Sequence, residues 1–151
     1  MRMTATRTAT EFGRRLIWHG VLLFFLGLVG GMFIYSMANP RMGLTAHVGA
    51  VTNGTYLIAL GAGWGSLVLV PRLERWAFWQ LVIGSYGSNA ALLLAAIFAT
   101  RNATPLHGAA QPASAGEEAV VTIALIVFGI AVMVGTALAL WGFGRRSAAA
   151  T

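Results

Sequence analysis

The chain has 151 residues, of which 58% are hydrophobic and only 9% charged, and its mean hydropathy is +0.75. Soluble domains carry about 25% charged residues, so this composition predicts one integral membrane domain over residues 1–151. Cysteine, lysine and aspartate are absent, which excludes disulfides, thiolate chemistry, Schiff-base catalysis and an aspartate proton relay. The net charge of +6 comes from arginines near the ends of apolar segments, which indicates topology signals and no nucleic-acid partner.

Four apolar segments lie along the chain, and each is long enough to cross a bilayer as a helix of about 20 residues. The polar stretch before the first segment, residues 1–15, is rich in threonine and arginine, and we expect it to be mobile. This pattern predicts an all-α protein, an integral membrane four-helix bundle. The predicted helices are residues 16–35, 40–70, 76–99 and 119–143.

The second segment begins with the signals of a helix N-terminus. Asn39 can serve as the N-cap, and Pro40 occupies the first helical position, where its missing N–H is not needed. The apolar run continues up to Pro71, which is predicted to end the helix. A charged turn at 71–75 then leads into the third helix, and a loop at 101–118 separates the third helix from the fourth.

Arginines are distributed unequally between the two ends of these spans. Two of them, Arg41 and Arg101, fall on one side of a four-span arrangement, and eight fall on the other. Because arginine-rich ends stay in the cytoplasm, we expect both termini there and multi-pass insertion into a bacterial inner membrane. The eight are Arg2, Arg7, Arg14, Arg15, Arg72, Arg75, Arg145 and Arg146.

The predicted spans contain no carboxylate, because all four glutamates lie at helix ends or in loops. This counts against a small proton-coupled transporter, which needs a carboxylate inside the membrane. Polar side chains within a span are costly and are functional candidates by default. His19 and His47 lie near opposite ends of their spans, too far apart to ligate one metal within a subunit at about 1.5 Å per residue. We expect His19 to be structural or interfacial.

His47, Gly54 and Gly61 are spaced by seven residues and therefore share one helix face. Two interpretations of this stripe stay open. One is close helix packing, which glycine stripes usually indicate. The other is a planar cofactor lying against the helix, with His47 as the axial ligand and Gly54 on the cofactor-binding face.

Five further polar side chains come to a similar depth in the second and third spans. Either they form hydrogen bonds between helices, for about 0.6 kcal/mol each, or they line a pocket beneath His47. The sequence alone leaves both interpretations open. These residues are Asn53, Ser85, Tyr86, Ser88 and Asn89.

Four motifs in the first two spans carry a family resemblance: Leu16-Ile17-Trp18-His19-Gly20, Asn39-Pro40-Arg41-Met42-Gly43-Leu44, Ala46-His47 and Asn53-Gly54. They resemble the bacterial hydroxylaminobenzene mutases, small four-span membrane isomerases, and more distantly styrene oxide isomerase. The resemblance implies an intramolecular hydroxyl shift that converts aryl hydroxylamines, small aromatic substrates, into 2-aminophenols. It also implies a homo-oligomer, a trimer, that holds ferric haem b between its subunits.

The resemblance assigns a role to each candidate residue. His47 would be the axial ligand of the haem iron, and Asn53 would orient the N–OH group of the substrate. Tyr86 and Asn89 would hydrogen-bond the nitrogen or assist the final proton shift, with Ser88 as the alternative to Asn89. The catalytic acid of styrene oxide isomerase falls near Gly84 here and its catalytic tyrosine near Leu92, which counts against epoxide isomerisation.

Three other functions remain as alternatives. The first is an epoxide isomerase similar to styrene oxide isomerase. The second is a small b-type cytochrome without isomerase activity, which would use the same histidine and normally a second axial ligand. The third is a non-catalytic membrane protein, such as a transporter or an assembly factor, which would bind no chromophore.

Overall fold

A computed structural model of the chain describes residues 2–107 and 113–145, so that Arg146 and part of the predicted 101–118 loop lie outside the described residues. The predicted all-α, four-helix architecture is confirmed. The long helices are α1 (Arg2–Gly31), α2 (Pro40–Gly63), α3 (Pro71–Phe98) and α4 (Ala115–Gly144). Single turns of 3₁₀ helix lie in the connections, at Ile34–Ser36, Trp64–Ser66 and Pro105–His107.

Three helices are long and apolar enough to cross a membrane by length and composition. They are α1 from Glu11, α3 and α4. The 24 residues of α2 reach about 36 Å at 1.5 Å per residue, but His47, Asn53 and three threonines lower its hydropathy. These features identify a multi-pass membrane protein.

Helices α1 and α2 run antiparallel and touch through their glycines. A Cβ added at Gly20 would lie 2.6 Å from the carbonyl oxygen of Gly54, and one added at Gly61 would lie 2.7 Å from that of Gly13. Only glycine permits backbones to approach this closely. The stripe seen on α2 is therefore a helix-packing surface at Gly54 and Gly61, and α1 fills the space beside them.

Glycines also hold α3 against α4. A Cβ added at Gly84 would meet Val132 at 2.7 Å, and one at Gly135 would meet Leu81 at 2.8 Å. The two helix pairs are joined through α2 and α3, which run antiparallel. The N–H of Asn39, at the start of α2, donates to the carbonyl of Ala96 near the end of α3 over 2.9 Å.

The predicted beginning of α2 is correct, but its predicted end is wrong. Asn39 is the N-cap, and its side chain accepts a hydrogen bond from the N–H of Met42 over 3.2 Å. The helix stops at Gly63 and does not reach Pro71, because glycines crowd its last turns and each lowers helix stability by about 1 kcal/mol relative to alanine. The indole of Trp64 is completely buried just after this end and donates to the Glu74 carboxylate over 3.0 Å.

The other three helices begin earlier than predicted. Residues 2–15, expected to precede the first helix, form its first turns, and α1 ends at Gly31 and not at residue 35. Pro71 begins α3 at a first-turn position, so residues 71–75 are helical and are not a turn. In α4, a capping box between Ser114 and Glu117 starts the helix before residue 119.

Glu118 organises the connection between α3 and α4. Ala99 ends α3 in the left-handed conformation, with φ of 56°. The N–H groups of Arg101 and Asn102 then donate to the two carboxylate oxygens of Glu118, over 2.9 and 3.0 Å. This carboxylate is 7% exposed, so it satisfies two backbone donors that the chain turn would otherwise leave unpaired.

The Glu118→Gln substitution should destabilise the fold by about 1–3 kcal/mol, because one acceptor becomes an NH₂ group that faces a backbone donor. Thermal unfolding in detergent, followed by tryptophan fluorescence, measures the change. Glu117→Gln is the matched control, since glutamine can replace glutamate in a capping box. Equal stability of the two variants would contradict the role assigned to Glu118.

Candidate functional site

A cavity of about 350 Å³ lies between α1, α2 and α3, close to the connection between α1 and α2. We name it the His47 cavity. Its polar side chains are His47, Tyr86 and Asn89, and the rest of its wall is apolar. Its rim includes Leu26, 48% exposed, and Leu93, 38% exposed, so it opens sideways between α1 and α3. Other wall residues include Leu23, Val29, Met37, Ala46 and Ala50.

The imidazole of His47 is oriented by the backbone of α1. Its Nδ1 lies 2.8 Å from the carbonyl oxygen of Gly27. A carbonyl oxygen can only accept, so Nδ1 carries the proton and Nε2 is left with its lone pair. Histidines that ligate metals almost always donate their other ring N–H in this way. The ring therefore has the tautomer that an Nε2 metal ligand requires.

Asn89 is the second polar group of the His47 cavity. It is 9% exposed, and its amide Nδ2 has no hydrogen-bond partner among the described residues. It faces α2, where a Cβ added at Gly49 would lie 3.5 Å from this nitrogen. A buried donor without a partner costs about 1–3 kcal/mol, and here it belongs to the wall of a cavity. The group is thus available to a ligand.

Tyr86 contributes its ring to the cavity wall, and its hydroxyl reaches α1. The hydroxyl donates to the backbone carbonyl of His19 over 3.1 Å. The two side chains also meet edge to face, with ring centroids 5.8 Å apart. The tyrosine oxygen keeps its lone pairs, so it can still accept one hydrogen bond. His19 itself does not line the His47 cavity.

The structure does not bring Asn53 to the cavity wall. Asn53 is half-buried one helical turn beyond Gly49, and it has no hydrogen-bond partner among the described residues. On the antiparallel α3 it lies level with Ser85, whose fully buried hydroxyl also lacks a partner in the described chain. Ser88 donates to the carbonyl of Ser85 over 3.2 Å. Of the two alternatives in α3, Asn89 is the one that reaches the cavity.

Two other positions singled out in the sequence serve helix packing. Gly54 lies against Gly20 and Phe24 of α1, outside the cavity lining. Gly84 faces α4, where a side chain would collide with Val132. The position to which the resemblance assigns the acid of styrene oxide isomerase therefore faces away from the cavity, and none of the described residues that line the cavity carries a carboxylate.

Sequence reasoning missed the partners that α1 supplies. The carbonyl of Gly27 and the carbonyl of His19 accept the hydrogen bonds of His47 and Tyr86. A signal for the first was present, because glycines recur every seven residues on α1 as they do on α2. Antiparallel pairing of Gly13 with Gly61 and of Gly20 with Gly54 brings the next turns of α1 beside His47, where Gly31 lies against the imidazole and Gly27 against Ala50. These repeats are Gly13, Gly20, Gly27 on α1 and His47, Gly54, Gly61 on α2.

The chain is similar to proteins of known activity over nearly its whole length. The family model described as styrene oxide isomerase matches residues 12–144. Hydroxylaminobenzene mutase HabB of Ectopseudomonas oleovorans is 38% identical over 151 residues, which cover 99% of this chain and 91% of that protein. Hydroxylaminobenzene mutase HabA of the same organism is 36% identical over 107 residues, 70% of this chain and 79% of that protein. The chain is therefore a membrane isomerase that belongs to the styrene oxide isomerase family.

Proposed function

We propose that the protein is a hydroxylaminobenzene mutase, which converts aryl hydroxylamines into 2-aminophenols. One observation carries the proposal: His47, Tyr86 and Asn89 share one apolar cavity in a chain 38% identical to such a mutase. In the reaction the N–O bond breaks and a C–O bond forms at the ortho carbon. The hydrogen of that carbon is lost as a proton, and the nitrogen gains one, so substrate and product are isomers.

We propose haem b as the cofactor, with His47 Nε2 as its axial ligand. The residues fit this group, because the Nδ1–H of His47 donates to Gly27 and a haem iron needs only one protein ligand. Among the described residues, no group of three or more His, Cys, Asp or Glu lies together as a site for a bare metal ion. When bound, ferric haem supplies a Lewis acid for the hydroxyl oxygen.

The side chains of the cavity hold and orient the substrate. Asn89 Nδ2 is an unpaired buried donor, so it hydrogen-bonds the oxygen or nitrogen of the N–OH group. The hydroxyl of Tyr86 donates to the carbonyl of His19, so the ring of Tyr86, and not its oxygen, faces the substrate. Asn53 is half-buried one turn from the cavity, so the direct contact with the N–OH group that the resemblance implies is not part of this proposal.

The apolar wall excludes water from the reaction. Positive charge develops on the ring as the N–O bond breaks, and water would trap this cation and scramble the products. Leu23, Ala46 and Ala50, all at most 5% exposed, form the inner wall of the cavity. The sideways opening between α1 and α3 suits an apolar aromatic substrate that partitions into lipid.

The arrangement in the membrane follows from the same features. Arg14, Arg15, Arg72, Arg75 and Arg145 lie at one end of the antiparallel bundle and Arg41 and Arg101 at the other. We propose that the first end faces the cytoplasm of a bacterial inner membrane, with both termini there. A neighbouring subunit of a homo-oligomer, a trimer by resemblance, would close the opening between α1 and α3.

A spectrum and two assays test this function. The protein, purified in mild detergent from cells well supplied with haem, should show a strong Soret band. It should convert hydroxylaminobenzene to 2-aminophenol. Styrene oxide is the second substrate, because the matching family model is that of styrene oxide isomerase; slower turnover is expected since glycine and leucine stand at positions 84 and 92. A haem protein that cycles between redox states and isomerises neither substrate would be a b-type cytochrome.

Oxygen-18 should stay in the product if the shift is intramolecular. Hydroxylaminobenzene labelled in its hydroxyl group is converted in unlabelled water, and mass spectrometry measures the label in 2-aminophenol. We expect more than about nine-tenths of the label to be retained, because the dry wall keeps water from the cation. The control is the reverse experiment, with unlabelled substrate in labelled water. Substantial uptake from water would show an intermolecular route.

A further inference from the structure

A second cavity adjoins the His47 cavity. This groove of about 530 Å³ lies on the side of the bundle and is lined by α1, α3 and α4. We name it the His19 groove. Its wall is almost entirely apolar, apart from His19 and the hydroxyl of Tyr86. The lining residues are His19, Leu22, Val82, Ile83, Gly87 and Phe128, together with Tyr86 and Ala90.

The two cavities are stacked along the bundle axis. On α1, the His19 groove uses residues 19 and 22, and the His47 cavity uses residues 23–30. On α3 the order is the same, because the groove begins at Val82 and the cavity extends to Leu93. Both are lined by Tyr86 and Ala90, and the methyl group of Ala90 is too small to divide them. The ring of Tyr86 is the barrier.

Tyr86 is held in this dividing position from two sides. Its hydroxyl is tied to the carbonyl of His19 on α1. Its neighbour Gly87 packs against the ring of Phe128 on α4, which leaves no room for a Cβ at this position. The α3 backbone is thereby fixed against α4 while the side chain bridges to α1. A ring anchored at both ends cannot swing aside without breaking the hydrogen bond.

We infer that Tyr86 determines substrate size, by separating the reaction cavity from an apolar compartment that would otherwise accept ring substituents. The inference rests on the proposed function. The proposed function places the polar end of an aryl hydroxylamine at Asn89, the unpaired donor of the cavity wall, so its ring extends along the wall that ends at Tyr86. A group in the para position points away from the nitrogen and meets this barrier. The chain therefore favours hydroxylaminobenzene over aryl hydroxylamines with a bulky para substituent.

The test compares kcat/KM for hydroxylaminobenzene and for 4-hydroxylaminobiphenyl. In Tyr86→Ala the two cavities merge, and the ratio should shift toward the biphenyl substrate by about ten-fold or more, the discrimination that one misfitting group provides in an apolar pocket. Tyr86→Phe keeps the ring and loses only its anchor, so it should shift the ratio less. Competitive inhibition by aniline and 4-aminobiphenyl gives the same comparison for binding alone.

Two further variants separate size selection from general loosening. Tyr56→Ala removes a part-buried tyrosine whose hydroxyl bonds Thr136 across the bundle over 2.7 Å. Tyr56 lines neither cavity, so this variant should leave the ratio unchanged. Leu22→Trp added to Tyr86→Ala refills the groove and should restore the preference for the small substrate. If the alanine variant does not fold, Tyr86→Leu shortens the same side chain and serves in its place.

The outcomes distinguish the two proposals. A wild-type protein that turns over hydroxylaminobenzene, with an unchanged ratio in Tyr86→Ala and Tyr86→Leu, would overturn the size barrier alone. An equal shift in Tyr56→Ala would do the same. A wild-type protein that does not isomerise hydroxylaminobenzene would overturn the proposed function and this inference with it.

Discussion

Replacing His47 by alanine should remove the Soret band and reduce mutase activity by at least about 10³-fold. His47 is the one histidine on the wall of the His47 cavity. Its Nδ1–H donates to the carbonyl of Gly27, so the lone pair of Nε2 is available to bind iron. Without this nitrogen ligand the proposed haem would have no bond to the chain, and the Lewis acid would be lost with it. Absorption spectra before and after dithionite, with parallel activity assays, measure both effects.

His19→Ala is the matched control for the spectrum. Both histidines lie in the bundle, but His19 lines the groove on the far side of Tyr86. The His19→Ala protein should keep its Soret band. The substitution removes only the side chain, so the backbone carbonyl that anchors Tyr86 remains. Full activity in haem-free His47→Ala protein would rule out the haem mechanism. Loss of the band in both variants would point to ligation by two histidines from neighbouring subunits.

Enlarging Gly54 should unfold the α1–α2 pair. A Cβ at this position would lie 2.7 Å from the carbonyl oxygen of Gly20 and 2.7 Å from the N–H nitrogen of Phe24. Both obstacles are backbone atoms, so no side chain can rotate away and the helices must separate. Overpacking costs about 1–3 kcal/mol where side chains yield, and we expect at least the upper value for Gly54→Ala and a loss of folded protein for Gly54→Leu.

Gly129→Ala is the control for this substitution. Gly129 lies in the middle of α4, and a Cβ there would meet nothing within 4 Å. Alanine is the better helix former by about 1 kcal/mol, so stability should be unchanged or slightly higher. Size-exclusion profiles and thermal unfolding in detergent measure both variants. A Gly54→Ala protein as stable as Gly129→Ala would mean that the two helices are not in backbone contact.

The four helices could be predicted because hydropathy depends on composition over some twenty residues and tolerates local exceptions. Helix ends depend on single residues. Asn39 and Pro40 were recognisable because a cap has a definite chemistry, whereas the end of α2 was misplaced because several weak glycine effects act together before Pro71. Pro71 itself was ambiguous, since proline is suited both to the end of one helix and to the first turn of the next.

The sequence predicts how deep in the membrane each candidate residue lies, but not toward which neighbouring helix its side chain points. A histidine inside an apolar helix is recognisable in any sequence. The rise per residue then shows that Tyr86 and Asn89 lie at a similar depth in the membrane. Which residues face the same cavity depends on how α1, α2 and α3 are rotated, and Asn53 shows the difference. The acceptors for His47 and Tyr86 are backbone carbonyls, which every residue has, so no residue type marks them.

The seven-residue repeat shared by α1 and α2 also sets where in the bilayer chemistry can take place. The paired positions 13 and 61, 20 and 54, and 27 and 47 are successive steps of about 10.5 Å along the axis, and only the last carries a side chain that can bind a ligand. A histidine moved by fewer residues would leave the seam, and one moved by a full step would strike the opposite backbone. The depth of the imidazole along the bundle axis, and with it the depth of the site in the bilayer, is therefore fixed by the contact between α1 and α2.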